Sequence, residues 1–160
     1  IHPMYRILFV CHGNICRSPM AEYILRDMLK KRGITGISTE SAATSTEEIG
    51  NGVHRGTAAV LAKLGIDCSD KHARQMTRSD YDKFDMLIGM DSANIRNMER
   101  ITRGDPARKI YRFLDFTDSP RDISDPWYTG DFALTYSDVC EGCEALLKEL
   151  KRRGVLNENT

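Results

Sequence analysis

Short apolar runs alternate along the chain with longer segments in which apolar residues recur every three or four positions. The short runs are typical of strands buried on both faces, and the longer segments are typical of helices with one apolar side. The predicted strands cover residues 5–10, 37–41, 86–90 and 109–113. The predicted helices cover residues 18–32, 53–64, 92–103 and 132–153, and a long polar loop covers residues 115–130.

Serine, proline and glycine residues mark the ends of several predicted helices. Ser18 and Pro19 are interpreted as the N-cap and the first residue of the first helix. Gly33 and Gly65 end the first two helices, because glycine accepts the left-handed conformation found after a helix C-terminus. The alternation of strands and helices predicts an α/β fold with a mostly parallel sheet.

The chain has the length and composition of one globular domain. It has 160 residues, of which 41% are hydrophobic, and this is enough for one core. Residues 1–3, which precede Met4, are interpreted as a cloning remnant, and residues 4–157 as a single domain. Five cysteines, an odd number without a disulfide framework spacing, are interpreted as reduced thiols of a cytoplasmic protein.

Charge and hydropathy exclude two classes of partner. The formal net charge is zero, so no basic field favours nucleic acid or an anionic membrane surface. No apolar run approaches the roughly 18 residues of a membrane span. The sequence therefore predicts neither a nucleic-acid partner nor a membrane partner.

The segment between the first strand and the first helix, residues 11–17, has the features of an anion-binding loop. Backbone N–H groups at a helix N-terminus converge on one point, where the helix dipole adds partial positive charge. Gly13 lets the backbone curl inward, and Arg17 adds a planar guanidinium that binds two phosphate oxygens. The loop has no lysine and no Walker pattern, which disfavours nucleotide binding.

Cys11 is the candidate nucleophile of this loop. The donors that bind phosphate also stabilise a thiolate, and Ser18 adds a further hydrogen bond to the sulfur. A cysteine followed by five residues and then Arg17-Ser18 is typical of phosphatases that form a phosphocysteine. The alternative is a buried structural cysteine in an ordinary turn, which the shortage of apolar cover in the loop disfavours.

Such a reaction also needs an acid that protonates the leaving oxygen, and the sequence offers Asp-Pro pairs at Asp105 and Asp125. Asp105 precedes the fourth strand, so we expect it at the opposite edge of the sheet from the loop. Asp125 follows that strand, so its segment is able to fold over the loop. Asp125 is therefore the predicted acid, with Asp122 in reserve. Trp127 and Tyr128 are predicted to wall a pocket for an aromatic leaving group.

Six segments resemble the low-molecular-weight protein tyrosine phosphatases of bacteria, and they are spread over nearly the whole chain. They are "VCHGNICRSPMAE", "ESAATS", "ARQM", "FDMLIGMDSAN", "DPWYTGDF" and "CEGCEALL". The resemblance implies a four-stranded parallel sheet with helices on both faces and a phosphate-binding loop after the first strand. It also implies a monomeric enzyme that hydrolyses phosphotyrosine in proteins or peptides and binds inorganic phosphate or vanadate at the loop. No metal or cofactor is expected, since Arg17 and the backbone amides balance the phosphate charge.

The resemblance implies roles for individual residues. Cys11 would be the nucleophile and Arg17 the phosphate ligand, while Ser18 would tune the thiolate. Asp125 would act first as the general acid and then as the base that activates water. Within the loop, Cys16 would close a reversible disulfide with Cys11 and so protect it from over-oxidation.

Other residues would support or border the loop by the same resemblance. Asn14, helped by Ser41, would hold the loop in a strained shape, and Asp91 would lie at the same edge. The residues expected to form the substrate site are His12, Gly13, Asn14, Ile15, Cys16, Ser18, Glu47, Trp127 and Tyr128.

Three positions depart from the family pattern. His12 stands at the rim, where many members have leucine, and we expect it to alter substrate preference. Lys71 stands where many members have a histidine that supports the loop serine, and His72 follows it; the sequence leaves open which of the two serves. Glu47 stands where some relatives have an aromatic wall, and we expect it to disfavour acidic residues beside the phosphotyrosine.

Three other functions are alternatives. An arsenate reductase of the same fold needs two further cysteines, expected near residues 80–90, and that segment has none. A related phosphatase that acts on phosphoarginine favours threonine at the position of Ile15, because threonine helps to orient the attacking water. A non-catalytic phosphate-binding module has no need of the Cys11 thiol or the Asp125 carboxyl group.

Overall fold

The computed structural model describes residues 4–156, so the interpretation of residues 1–3 and the predicted domain end at residue 157 lie outside the described residues. The strands in this range are β1 (Tyr5–Cys11), β2 (Ile37–Ala43), β3 (Met86–Gly89) and β4 (Ile110–Arg112). The α-helices are α1 (Arg17–Lys31), α2 (Arg55–Lys63), α3 (Asp80–Lys83), α4 (Ser92–Thr102), α5 (Pro126–Thr129) and α6 (Phe132–Arg152). None of these helices is both long enough and apolar enough to cross a membrane.

The four strands form one parallel sheet in the order β2-β1-β3-β4. Side chains of β1 alternate between the two faces of this sheet, as the pleat of a strand requires. Ile7 and Phe9 pack with α1 and α6 on one face, whereas Leu8 and Val10 pack with α4 on the other. The predicted four-stranded parallel sheet with helices on both faces is confirmed.

A close contact on the α1–α6 face fixes the chain that leaves β4. The fully buried ring of Phe113 lies 5.2 Å from the ring of Phe9. A Cβ atom at Gly142 of α6 would lie only 2.8 Å from the Phe113 ring, so glycine is needed for this approach. Burial of such a side chain contributes roughly 1.5–3 kcal/mol. The contact anchors the 3-10 helix Phe113–Phe116, from which the chain runs on toward the carboxyl edge of the sheet.

The predicted ends of α1 and α2 at glycine residues agree with the structure, whereas the predicted start of α1 differs from it. Gly33 and Gly65 follow α1 and α2 with φ angles of 68° and 75°. However, α1 begins at Arg17 with Cys16 as its N-cap residue, so the assignment of Ser18 as N-cap is wrong. The Ser18 side chain is buried and turned back into the loop, where it has other hydrogen-bond partners.

The segment predicted as a long polar loop contains two short helical pieces, the 3-10 helix and α5. Asp125 is the N-cap of α5, and its Oδ1 accepts a hydrogen bond from the backbone N–H of Trp127 at 3.0 Å. Pro126 follows at the first helical position, where its missing N–H is harmless. The Asp-Pro pair therefore starts a helix whose side chains face the carboxyl edge of the sheet.

Candidate active site

The loop between β1 and α1 borders a cavity of about 370 Å³ at the carboxyl edge of the sheet. The lining residues are Cys11, His12, Gly13, Ile15, Cys16, Arg17, Glu47, Glu48, Asp125, Trp127 and Tyr128. Three distant segments of the chain therefore meet here. Asn14 and Ser18, which were expected among the substrate-site residues, lie behind the loop and do not line the cavity, whereas Glu48 was not expected.

Cys11 is the last residue of β1, and its side chain borders the cavity although the residue is only 3% exposed. Its Sγ lies 3.0 Å from the Ser18 hydroxyl and accepts the backbone N–H of Asn14 at 3.3 Å. Hydrogen-bond donors near a sulfur favour its ionised form. The helix α1, whose N-terminus starts six residues later, adds partial positive charge on the same side.

Asn14 holds the loop in a shape that non-glycine residues seldom adopt. Its φ angle is +60°, in the left-handed region that asparagine tolerates better than most residues. Its Nδ2 donates to Ser18 Oγ at 2.8 Å and to Ser41 Oγ at 2.9 Å. Its Oδ1 accepts the backbone N–H of Arg74 at 3.2 Å. Both amide hydrogens and the amide oxygen of Asn14 are therefore used in supporting the loop.

Arg17 is almost wholly buried, and its guanidinium faces carboxylates from two other segments. Nη1 donates to Asp91 Oδ2 at 2.6 Å and to the carbonyl oxygen of Ile123 at 2.9 Å, and Nη2 lies 3.4 Å from Asp125 Oδ2. Burial by itself would lower the pKa of Arg17, but Cys11, Asp91 and Asp125 together raise it above its ordinary value. The guanidinium is thus a fixed positive charge beside the cavity.

The structure separates the three aspartates that the sequence offered as acids. Asp125 lines the cavity, as its position after β4 predicted. Asp105 lies away from the cavity and accepts hydrogen bonds from the Tyr81 hydroxyl and from backbone N–H groups next to β4. Asp122 is bound to Ser92 and Arg112, so its carboxylate is engaged outside the cavity.

Cys16 lies in the same loop as Cys11 but has a different environment. Burial, followed by the charges of Cys11 and Asp125, raises the pKa of the Cys16 thiol to about 12. Cys16 and Ile15 pack in a small apolar cluster with Ala73. Cys16 is therefore a neutral thiol at physiological pH, within the loop that also holds the candidate nucleophile.

A hydrogen bond between two side chains lies at the cavity's rim. The Nε2 atom of His12 is hydrogen-bonded to Glu47, and both side chains are about half exposed or more. The backbone N–H of Ser45 also donates to the His12 carbonyl oxygen at 3.1 Å. The segment that follows β2 is thus tied to the loop between β1 and α1, and it carries the acidic residues Glu47 and Glu48 to the rim.

Aromatic side chains form another part of the rim. Trp127 and Tyr128 line the cavity and are 55% and 83% exposed, so both present aromatic surface at its rim. The His54 ring supports Trp127, since it packs edge-on against that indole at 5.6 Å and stacks on Phe132 at 5.1 Å. The sequence did not single out His54, because only the tertiary fold brings the start of α2 to this wall.

Lys71, and not His72, turns toward the back of the loop, although neither side chain has a hydrogen bond to the loop serine, Ser18, among the described residues. Lys71 Nζ donates to the carbonyl oxygen of Ser41 at 2.9 Å, and its side chain is only 12% exposed. His72 is exposed, and the one hydrogen-bond partner of its ring among the described residues is the carbonyl oxygen of Asp70. Sequence reasoning also missed Glu22, a buried acid of α1 that accepts the Ser41 hydroxyl and lies beside Lys71, because only the tertiary fold brings these residues together.

Comparison with known proteins agrees with this geometry over almost the whole chain. A family model described as "Low molecular weight phosphotyrosine protein phosphatase" matches residues 6–156. The chain is 40% identical over 152 residues to the low molecular weight protein-tyrosine-phosphatase YfkJ of Bacillus subtilis, which covers 93% of this chain and 97% of that protein.

Solved structures of three proteins show the same architecture. The crystal structure of YfkJ matches with a TM-score of 0.90 at 39% identity, covering 94% of this chain and 96% of that one. SP-PTP, a low molecular weight protein tyrosine phosphatase from Streptococcus pyogenes, matches with a TM-score of 0.81 at 40% identity, covering 92% and 93%. DARP, a Drosophila arginine phosphatase, matches with a TM-score of 0.82 at 27% identity, covering 91% and 97%.

Proposed function

The chain belongs to the low molecular weight phosphotyrosine protein phosphatase family, and we propose that it hydrolyses phosphotyrosine in proteins or peptides through a phosphocysteine intermediate. One observation carries this proposal. The Cys11 sulfur borders the cavity within reach of Ser18 and of a loop N–H, while Arg17 and Asp125 meet at 3.4 Å at the same edge. Nucleophile, phosphate ligand and acid are thus gathered around one space large enough for a phosphoryl group.

In the first step, Cys11 Sγ attacks phosphorus in line, so a sulfur–phosphorus bond forms as the bond to the phenolic oxygen breaks. Asp125 gives its proton to that oxygen, and tyrosine leaves as the neutral phenol. The loop N–H groups and Arg17 bind the equatorial oxygens, where negative charge is concentrated. Asp91 and the Ile123 carbonyl hold one edge of the guanidinium, which orients the rest of it toward the phosphoryl group.

In the second step, the Asp125 carboxylate accepts a proton from a water molecule that attacks phosphorus. The sulfur–phosphorus bond breaks, Cys11 returns to the thiolate and inorganic phosphate is released. The same loop donors stabilise both transition states, because the equatorial oxygens stay in place throughout. Inorganic phosphate, the product, and vanadate are accordingly expected to bind at the loop.

The walls of the cavity favour an aromatic phosphate ester. Cys11 is nearly buried, so a substrate phosphate must reach inward past the rim, and a phosphotyrosine ring gives that reach. Trp127 and Tyr128 offer aromatic surface to the ring of a phosphotyrosine. Phosphoserine has no ring to make this contact. On the other side, Glu47 and Glu48 are expected to disfavour acidic residues beside the phosphotyrosine.

The alternative activities find less support at the site. Hydrolysis of phosphoarginine would favour a hydroxyl group that orients water at position 15, and Ile15 has none. Arsenate reduction needs a relay of further thiols, yet Cys143 is buried in the core with Cys68 and Cys140 packed against that core. We further propose that the enzyme is a monomer with one domain over residues 4–157. It acts in the cytoplasm, because an oxidising compartment would consume a reactive thiolate.

Parallel turnover assays on phosphotyrosine, phosphoserine and phosphoarginine peptides, with EDTA present, test the proposed function. We expect release of phosphate from phosphotyrosine alone, with inhibition by vanadate and loss of turnover in Cys11→Ser. Turnover of Cys11→Ser close to wild type would refute the nucleophile. Preferential release of phosphate from the phosphoarginine peptide would show that phosphoarginine, and not phosphotyrosine, is the substrate. Binding of phosphate without turnover of any peptide would favour a non-catalytic phosphate-binding module.

A further inference from the structure

Four exposed arginines lie on α4 and on the turn that follows it: Arg96, Arg100, Arg103 and Arg108. None of the four has a carboxylate partner among residues 4–156, and their one side-chain hydrogen bond joins Arg100 to Asn97. By contrast, nine arginines elsewhere in this range are paired with carboxylates. Positive charge without an ionic partner is therefore concentrated at α4, in a chain whose formal net charge is zero.

Three of these arginines form a row along the outer side of α4. Spacings of four and then three residues place Arg96, Arg100 and Arg103 on one side of the helix, and we call them the arginine row. The inner side of α4 is packed into the core, where Met98 is fully buried. Glu99, the one acid of α4, is exposed and offsets only part of the charge of the row.

The backbone holds two of the four arginines in a conformation that their residue type disfavours. Arg103 follows α4 as its C-cap with a φ angle of 59°, and Arg108 has a φ angle of 54°. Within the described residues, Asn14 of the loop between β1 and α1 is the one other non-glycine residue with positive φ. Glycine adopts this conformation readily and is the usual residue at such a helix end. The two arginines thus serve the local fold less well than glycine would, and residues held in this way cluster at binding sites.

The arginine row begins beside the candidate active site and leads away from it. Asp91, the N-cap residue of α4, accepts a hydrogen bond from Arg17 at 2.6 Å. Because a helix rises 1.5 Å per residue, Arg96 and Arg103 lie about 8 Å and about 18 Å from Asp91 along the helix axis. An extended peptide spans about 3.3 Å per residue, so residues about three to six positions from a phosphotyrosine reach the row.

A groove of about 420 Å³ lies between α4 and β4 at the start of the row. Ser92, which directly follows Asp91, is part of its lining, so the groove starts at the edge of the sheet that holds the cavity. Ile95 and Ile110 give the groove half-buried apolar surface. Of its two arginines, Arg112 is paired with two aspartates, whereas Arg96 has no carboxylate partner in the described part of the chain.

We propose that the arginine row and the groove beside it form a docking surface for an acidic segment of the phosphoprotein substrate, about three to six residues from the phosphotyrosine. Alternate side chains of an extended segment lie about 6.6 Å apart on one side, close to the rise of about 6 Å between Arg96 and Arg100. Carboxylates at alternate positions therefore face successive arginines. This inference rests on the proposed function, in which the substrate is a phosphotyrosine protein or peptide.

The size and surroundings of the arginine row favour a peptide over a nucleic acid or a bilayer. The row from Arg96 to Arg103 spans only about 10 Å, the length of three extended residues. The formal net charge of zero provides no wider basic field for a polyanion or an anionic membrane. The row also complements Glu47 and Glu48 at the cavity rim, because the two surfaces select opposite charges at different distances from the phosphotyrosine.

The test compares kcat/KM for phosphotyrosine peptides of equal length that carry either glutamate or glutamine at the third and fifth positions from the phosphotyrosine. One pair of peptides has these residues after the phosphotyrosine and a second pair has them before it. An exposed ion pair changes an equilibrium by about 1.4- to 5-fold, so we expect kcat/KM about fivefold higher for the glutamate peptide of one pair, mainly through KM. The preference should be present near ~0.05 M NaCl and lost near ~0.5 M NaCl, because salt screens exposed charges.

Variants of the row separate docking from a structural role. Arg96→Gln combined with Arg100→Gln should abolish the preference, whereas kcat/KM for phenyl phosphate should stay within about twofold of the wild type, because neither residue lines the cavity. Lys63→Gln combined with Arg78→Gln is the matched control, since it removes the same charge from exposed positions elsewhere and should keep the preference. Arg103→Gly should weaken the preference and raise the melting temperature, because glycine suits the positive φ angle.

Three results would overturn the inference. The first is equal kcat/KM for the glutamate and glutamine peptides of both pairs, and the second is a preference that survives in the double variant of Arg96 and Arg100. The third is co-sedimentation of the wild type, but not of that variant, with phosphatidylcholine–phosphatidylglycerol vesicles in the absence of any peptide preference. Fluorescence anisotropy of the labelled phosphopeptides with Cys11→Ser measures docking without turnover, so failure of docking is distinguishable from failure of the proposed function.

Discussion

Replacement of Asp125 by asparagine removes the proposed proton donor and is expected to leave the surrounding structure in place. The asparagine Oδ1 still accepts the Trp127 N–H, so α5 keeps its N-cap and the aromatic wall keeps its position. Arg17 keeps its bonds to Asp91 and to the Ile123 carbonyl. Phosphate binding should therefore change little, and KM for aryl phosphates should stay within about threefold, because phosphate charge is still balanced by Arg17 and the loop amides.

The size of the effect should depend on the leaving group. General acid catalysis typically contributes about 10²–10⁴-fold to a rate, and the contribution is largest where the leaving oxygen is most basic. We expect kcat/KM for phenyl phosphate, whose leaving group resembles tyrosine, to fall by about 10²–10³-fold in the variant. For p-nitrophenyl phosphate, whose phenolate leaves without a proton, the loss should be only about tenfold.

The assay is kcat/KM for a series of substituted phenyl phosphates, because this parameter reports the first chemical step and excludes hydrolysis of the phosphocysteine. A steeper dependence on leaving-group basicity in Asp125→Asn supports the acid role. Asp131→Asn is the matched control, since Asp131 caps α6 through the Leu134 N–H at 2.9 Å and does not line the cavity. Asp122→Asn should also keep the wild-type slope. An equal loss for every leaving group would refute the reasoning.

Three other predictions follow from the site. Near pH 7, iodoacetate should label Cys11 alone. Burial raises the pKa of each of the other four thiols, and it raises that of Cys16 to about 12. A second rapidly labelled cysteine in the peptide map would contradict this prediction. His54→Ala removes the ring that supports Trp127. KM for phenyl phosphate should therefore rise about two- to fivefold with a smaller change in kcat, because an aromatic contact contributes roughly 0.5–1.5 kcal/mol. An unchanged KM would show that Trp127 needs no support from His54. Glu47→Lys should shift preference in a phosphotyrosine peptide panel toward acidic flanking residues, and an unchanged preference would remove Glu47 from substrate selection.

The central strands and the phosphate loop are encoded in local sequence. An apolar run before Cys11 and helical periodicity after Arg17 place residues 11–17 between a strand and a helix. This placement does not depend on contacts with the rest of the chain. The glycines that end α1 and α2 act within their own turns. Chain order also placed Asp125 on the correct side of the sheet, since it follows β4 and Asp105 precedes it.

Local reasoning is wrong or incomplete wherever a side chain serves a distant partner. Ser18 has the residue type of an N-cap, but its hydroxyl is used by Asn14 and Cys11. The choice of Lys71 over His72 depends on which side chain turns inward against β2. Neither outcome is visible in spacing, because each depends on competition among hydrogen-bond partners that the chain brings together only on folding.

The sequence by itself therefore determined the fold class, the loop that holds Cys11 and Arg17, and the side of the sheet on which Asp125 lies. Periodicity, turn residues and chain order are properties of neighbouring residues, and they survive without any tertiary contact. The tertiary structure alone decided the partners of those groups: Arg17 meets Asp125 across 108 positions of sequence, and Glu22 reaches Ser41 across 19. Buried charged and hydroxyl groups need hydrogen-bond or ionic partners, and packing supplies these partners from distant parts of the chain. The electrostatics of the site therefore depend on the folded core and not on any one segment.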